Sequence, residues 1–330
     1  MPTASPLDTG LKALRTQSLA VGLAGRGAVL LAGPDCAELV HGLVTNDVKG
    51  LGPGSGCHAA LLTPKGRMRA EMLVLRTEEG ILLDCEPALA GPLVAILSGY
   101  VPFSRSTLED RTPSTGIVHL EGPGAARVLE SAGVGAPPAA PFSHRPAEAG
   151  GAAVRVVRVS RAGEEGFDLR AASGDAGRVL ALLVAHGATP APPEVLEAGR
   201  IEAGLPRWGA ELNESVLPNE AWLERTAISY GKGCYLGQET IARLKTYGHV
   251  NRHLVAILLP LSSGAGPGDV VRAGEASVGA VTSAVDSALR GRRVALAYVK
   301  REHEAPGTVL LVDTPSGAVE GVVAAVPLGG

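Results

Sequence analysis

The chain is poor in the features that most quickly assign a protein to a class. It has only four cysteines in 330 residues, Cys36, Cys57, Cys85 and Cys234, and no two form a CxxC pair. Zinc and iron–sulfur sites usually draw on closely spaced thiolates, so a metal or cluster held by this chain alone is not expected. A disulfide framework is not expected either in a chain of this size without secretion signals. No apolar run approaches the length of a bilayer span; the longest lie around Val179–Ala188 and Pro92–Leu97. The opening MPTASPLDTGLKALRTQ lacks the apolar core of a signal peptide. Charge of either sign is not in excess, with a formal net charge of −3. That removes any general electrostatic case for nucleic acid or membrane as partner, and any anion site must come from locally gathered arginines. A soluble, cytoplasmic protein is the expectation.

What is present is a folded, turn-rich composition. Hydrophobic residues make up 45% and charged residues 19%, with 44 glycines and 24 prolines. Two or three domains are expected at this length. Residues Ala28–Leu43 (AVLLAGPDCAELVHGL) read as strand, Gly-Pro turn and helix, and Gly116–Ala132 (GIVHLEGPGAARVLESA) repeat the plan. Proline just inside a helix start loses no hydrogen bond there. The echo implies a pseudo-repeated architecture, the alternative being chance reuse of a common turn.

Alternation and β-branched content place strands at Met68–Arg76, Ile81–Asp84, Val154–Ser160 and Phe167–Arg170. Helices are expected at Ala88–Gly99, Asp175–His186 and Glu194–Ala203, the last opened by Pro192-Pro193 and stopped by Gly204. Gly133–Pro141 and Ser262–Asp269 read as linkers. After about Asn251 come six short strands without a helix, the pattern of a small β-barrel. The irregular alternation of elements points to α+β and not to a doubly wound sheet.

The most unusual stretch is Gly231-Lys232-Gly233-Cys234-Tyr235-Leu236-Gly237-Gln238-Glu239. Glycines at 231, 233 and 237 imply a tight backbone path holding one thiol beside one ammonium. A neighbouring lysine and a helix starting near Ile241 would both favour the thiolate of Cys234. The competing reading is a glycine-rich turn with a small buried cysteine.

Lys232–Glu239 resembles the KGCYxGQE signature of YgfZ-type folate-binding proteins, which are related to the glycine-cleavage T-protein (aminomethyltransferase) family. The resemblance extends over most of the chain. Gly27–Asp47 is similar to the family's opening strand–helix and TND segment, and Thr63–Arg69 (TPKGRMR) to its PKG turn. Arg200–Gly204 (RIEAG) and Leu217–Glu220 (LPNE) are similar to the helix and loop of its second half. The resemblance implies an α+β, three-domain ring with pseudo-repeated α+β domains and a small C-terminal β-barrel. The divisions expected are 1–115 (folate-binding region), 116–250 (second region, carrying the signature) and 251–330 (barrel). It implies tetrahydrofolate as cofactor, and iron–sulfur enzymes or their assembly proteins as partners.

Individual residues follow from the same resemblance. Glu164, in Ser160–Phe167 (SRAGEEGF), stands where the T-protein segment has the glutamate that grips the pterin; the segment here is two residues shorter and lacks that segment's tyrosine and threonine, and Glu165 could serve instead. A carboxylate can accept two parallel N–H bonds from a 2-amino-4-oxo-pyrimidine. Arg200 would lie near the folate, or else pair with Glu197 on its helix. Lys65, Arg67 and Arg69 would meet a polyglutamate tail, or simply be solvated. Where T-proteins carry a catalytic aspartate, the stretch Gly66–Met72 has none, and Glu71 is the nearest carboxylate. His249 and His253 are four apart but begin a strand, so they should not converge on a metal.

Three functions compete. The first is a tetrahydrofolate-binding accessory protein in iron–sulfur cluster assembly or repair, with Cys234 and Lys232 as its reactive centre. The second is a folate-dependent aminomethyltransferase or related one-carbon enzyme. The third is a scaffold that has lost its ligand.

Overall fold

The computed structural model describes residues 6–328. It contains two related sheets and a closed barrel. The first sheet has five strands in the order Gly56–Leu62, Met68–Arg76, Gly80–Cys85, Gly27–Ala32 and Thr107–Asp110. The second repeats that order with His144–Ala149, Ala152–Arg158, Gly166–Ala172, Thr115–Glu121 and Leu19–Leu23, and adds the short Thr189–Pro190 at its edge. All neighbours within the five matching positions are antiparallel.

The internal echo of the sequence is therefore structural. In each unit the fourth strand of that order, Gly27–Ala32 or Thr115–Glu121, runs through a Gly-Pro turn into a helix, Cys36–Leu43 or Ala125–Ser131. The turn glycines Gly33 and Gly122 have φ of +110° and +132°. A Cβ on Gly33 would lie 2.3 Å from the Arg105 carbonyl oxygen, and one on Gly122 would lie 2.8 Å from that of Gln17. Each glycine lets the chain turn against the strand lying beside it.

The correspondence has one exchange. The edge place that Thr107–Asp110 takes in the first sheet is taken in the second by Leu19–Leu23, delivered from the start of the chain. The sheets thus do not follow the expected division at residue 115. The preceding helix, Pro6–Thr16, packs on Pro193–Ala203 through Leu11, Leu14, Val195 and Leu196. That second helix ends at Gly204 with φ of +74°, as its terminal glycine requires.

Alternation gives each sheet two faces. The outer face of the first, with Val29, Leu31, Leu61, Met72 and Leu83, is covered by the helices Cys36–Leu43 and Ala90–Ser98. The outer face of the second, with Val118, Leu120, Val156 and Leu169, is covered by Ala125–Ser131 and Ala176–Ala185. The inner faces meet. Leu73, Leu75 and Leu82 of one touch Val157 and Val159 of the other. Beside this apolar contact, polar residues from the same strands join the sheets.

Asp84 is the centre of that junction, fully buried on the first sheet. It accepts from Arg26 Nε at 3.0 Å, pairs with Arg170 of the second sheet, and lies 3.6 Å from Arg161. Arg161 in turn forks onto Asp168 at 3.1 and 2.5 Å. His119 lies between Asp168 at 2.8 Å and Glu121 at 2.6 Å. Burial pushes the Asp84 carboxyl upwards, but Arg26, Arg170 and Arg161 outweigh it and hold it down to about 2.

The C-terminal strands close into a six-stranded antiparallel barrel: Arg252–Leu259, Arg292–Lys300, Ala276–Ser287, Val270–Ala273, Val309–Thr314 and Gly317–Ala324. The expected α+β class and terminal barrel are present. Among the described residues no helix is long and apolar enough to cross a membrane.

Replacing Asp84 with asparagine leaves three buried guanidinium groups under-compensated. The expected loss is about 3–5 kcal/mol of unfolding free energy, measured by denaturant titration. Because the native carboxyl lies below its usual 3.8, the wild-type advantage is full above about pH 4 and declines as pH falls towards 2. An equal advantage at both pH values would sink the clamp.

Candidate functional site

The signature loop meets the first sheet at a knot of backbone and polar side chains. Thr45, of the TND segment, donates its hydroxyl to Ala227 O at 2.6 Å and accepts from Ala60 N at 2.9 Å. Asn46 Nδ2 donates to His58 O at 2.8 Å and to Thr226 O at 3.2 Å. Ser229 N donates to Thr45 O at 3.0 Å. Lys232 completes the knot, its ammonium donating to His41 O at 2.5 Å, Val44 O at 2.6 Å and Asn46 O at 3.1 Å.

An ammonium has three N–H bonds, and these three carbonyls use them. Two of the acceptors lie at the C-terminal end of helix Cys36–Leu43, where orphan carbonyls favour a cation. Lys232 is buried and committed to the backbone, and it fixes the loop. Burial lowers its pKa to about 8.

Cys234 is exposed and free, the sole exposed one of the four thiols. Burial pushes the Cys57 and Cys85 thiols up to about 12. The neighbouring Tyr235 is buried, with its ring 5.0 Å from the Lys232 ammonium. Among the glycines of the signature, Gly237 has φ of +83°, and a Cβ there would stand 2.5 Å from Thr63 O. Opposite it, a Cβ on Gly66 of the PKG turn would stand 2.9 Å from Thr240. Close approach of the PKG turn to the start of helix Gln238–Tyr247 explains both glycines. Gly231 and Gly233 face open space and need no such account.

The expected ligand residues divide into committed and free. Arg200 is buried, and its five N–H groups go to Glu197 (2.9 and 2.6 Å), Leu205 O (2.6 Å), Glu211 (2.8 Å) and Ser283 (3.0 Å). It ties its helix to the barrel and has no donor left for folate, which corrects that expectation. Glu164 pairs with Arg15 at 3.0 Å yet remains partly exposed, and Glu165 pairs with Arg158 at 2.9 Å. The loop carrying both is held by Glu121, which accepts from the backbone N–H of Arg161, Ala162 and Glu164 at 2.8–2.9 Å. Arg67 is used by Ser215 O. Lys65 is exposed and Arg69 half-buried, and neither makes a hydrogen bond or ion pair among the described residues.

Glu71 sits on the inner face of its strand and accepts from His58 Nε2 at 2.7 Å. Burial would raise its carboxyl, but the His58 bond and charge hold it below the usual range. The other ring nitrogen of His58 lies 3.0 Å from Thr226 Oγ1. His58 and Thr226 carry no motif signal, and nothing in the sequence joins positions 168 residues apart. His253 stacks on Trp222 at 4.0 Å and bonds Glu304, so it serves the barrel. A cleft of about 640 Å³ opens there, lined by Trp222, Arg225, His249 and Arg301, and contains none of the expected site residues.

Two sheets of one strand order, joined face to face through buried ions and completed by a barrel, define a two-plus-one architecture. The GCVT N-terminal domain model matches residues 6–230, and the glycine cleavage T-protein C-terminal barrel domain model matches 252–328. This chain belongs to the glycine-cleavage T-protein family. An aminomethyltransferase from Thermus thermophilus is 30% identical over 289 residues, covering 85% of this chain and 79% of the relative. A putative chloroplastic transferase from Arabidopsis thaliana is 29% identical over 322 residues, covering 97% and 73%. The crystal structure of the glycine cleavage system aminomethyltransferase T from Bartonella henselae superposes with a TM-score of 0.87 at 19% identity, over 99% of this chain and 91% of that one.

Thiol titration of the native protein checks the loop. One thiol per chain should react rapidly, and Cys234→Ala should abolish that phase. If Lys232 serves only to fix the loop, Lys232→Met should leave the rate per exposed Cys234 within about threefold. It should also cost about 1–3 kcal/mol of stability through the unpaired carbonyls. A much slower thiol in Lys232→Met with the fold intact would restore the activated pair.

Proposed function

We propose that this chain binds a reduced folate and acts as a folate-dependent one-carbon transferase of the aminomethyltransferase kind. The observation that carries the reading is the pair of unspent cations, Lys65 and Arg69, on and beside the strand that also presents Glu71. Nearly every other arginine near the inner faces is committed to a carboxylate. Two free cations fit the carboxylates of a folate tail. Glu164, with one oxygen shared with Arg15 and the side chain open to solvent, fits the pyrimidine N–H pair of a pterin. Tetrahydrofolate would supply the nitrogen that carries the one-carbon unit. The chain's own residues bind its two ends and keep a carboxylate–imidazole pair beside them.

A second reading, maintenance of iron–sulfur enzymes, rests on a different observation. The KGCYLGQE loop is built to display Cys234 while Lys232 and Gly237 anchor it on either side. In that role the folate site is shared and the exposed thiol meets the partner.

Calorimetry with tetrahydrofolate tests what the readings share, and binding in the micromolar range is expected. Arg69→Glu should weaken it roughly tenfold by opposing a tail carboxylate. No heat of binding at millimolar ligand would remove both readings. Formation of methylene-tetrahydrofolate from an aminomethylated carrier protein separates them. Its absence, with cluster-enzyme activity dependent on Cys234 in cells, selects the second.

A further inference from the structure

We infer that Glu71, His58 and Thr226 form a proton relay whose outlet is the Thr226 hydroxyl, and that it manages the proton of the nitrogen that accepts the one-carbon unit. The inference rests on the one-carbon transferase reading above and deepens it.

The geometry is a line of three groups. Glu71 Oε1 lies 2.7 Å from His58 Nε2, and His58 Nδ1 lies 3.0 Å from Thr226 Oγ1. An ionised carboxylate can only accept, so Nε2 carries a proton. In the neutral ring Nδ1 then offers a lone pair, and the hydroxyl of Thr226 donates to it. A base oriented by a carboxylate and directed at a hydroxyl is the arrangement used to activate that hydroxyl. Glu71 and His58 are largely shielded, whereas Thr226 is exposed, so the chain of protons is most open to solvent at the Thr226 end.

The relay is held from outside itself. Asn46 Nδ2 donates to the carbonyls of both His58 and Thr226, setting the spacing of the two residues. Thr226 N donates to Leu223 O at 3.1 Å. The groups around the imidazole are few. Glu71 faces it, Arg26 and Asp84 act on Glu71 from the next strands, and the Phe142 ring lies 6.3 Å away.

The proton balance closes without a further reagent. As a substrate N–H forms its new bond to carbon, its proton passes to Thr226 Oγ1 while the hydroxyl proton moves to His58 Nδ1. The resulting imidazolium is held by Glu71. When the departing amine leaves with the electron pair of its bond to carbon, the proton returns by the same path. Glu71 acts through His58 and is a positioning residue.

The test uses the full chain and two readouts. Imidazole nitrogen NMR, assigned with His58→Gln, should show Nε2 protonated in the neutral ring. Glu71→Leu should let the Nδ1-protonated tautomer appear, because the carboxylate that accepts from Nε2 is gone. Single-turnover transfer should fall at least about 100-fold in His58→Gln and in Thr226→Val, with the dissociation constant for tetrahydrofolate within twofold in both variants. Thr226→Ser should restore the rate. A tautomer unmoved by Glu71→Leu, or a full rate in Thr226→Val, overturns the relay. If the wild type binds folate but transfers nothing, its catalytic role is overturned. If folate does not bind, the functional reading falls, and the NMR response of His58 still decides whether the proton line exists.

Discussion

Everything in the two-sheet body depends on one carboxylate. Asp84 is placed on an inner face with no access to water, and it is tolerable there only because three guanidinium groups converge on it. Two of these, Arg161 and Arg170, come from the other half of the repeat. The sheets are consequently docked by a bond that fails if either half shifts, where an apolar contact alone would tolerate sliding. Ion clusters of this kind add little net stability against a well-packed apolar alternative. Their value lies in fixing one relative placement.

The same economy operates at the other two joints. Arg200 spends all its donors on Glu197, Leu205 O, Glu211 and Ser283 of the barrel, and Lys232 spends all of its own on the end of helix Cys36–Leu43 and on Asn46 O. Each joint is a buried cation satisfied by fixed acceptors, which is a directional connection with a unique geometry. The cations left unspent, Lys65 and Arg69, therefore carry more information than the many that are paired. They are exposed or half-exposed, beside the inner face, and facing no carboxylate among the described residues.

Much of this architecture could be read in the residues. The strand at Met68–Arg76 was legible because Met68–Met72 alternates apolar with charged residues before the apolar run Leu73–Leu75, and the helix at Pro193–Ala203 because proline opens it and glycine closes it. The repeat was legible because its turn glycine is forced by a close carbonyl in both copies. The crossing of Leu19–Leu23 into the second sheet was not, since a five-residue apolar strand states no partner. The roles of Arg200 and Lys232 were illegible for one reason. A motif gives residue type and spacing, but the count of a cation's donors against its acceptors exists only in three dimensions. His58 and Thr226 were invisible for the same cause.

The signature KGCYLGQE is best understood by separating what its residues do. Lys232 and Tyr235 are buried and Gly237 is pressed against Thr63, so these three hold the loop. Gly231, Gly233 and Cys234 face solvent and hold nothing. A turn needed only for folding has no physical reason to alternate anchored and open positions around an exposed thiol. The anchors hold the sulfur's backbone against the TND segment, and that segment's Asn46 spaces His58 from Thr226. Loop and relay thus share one scaffold, so a force on the Cys234 loop reaches the Thr226 hydroxyl through Lys232 and Asn46.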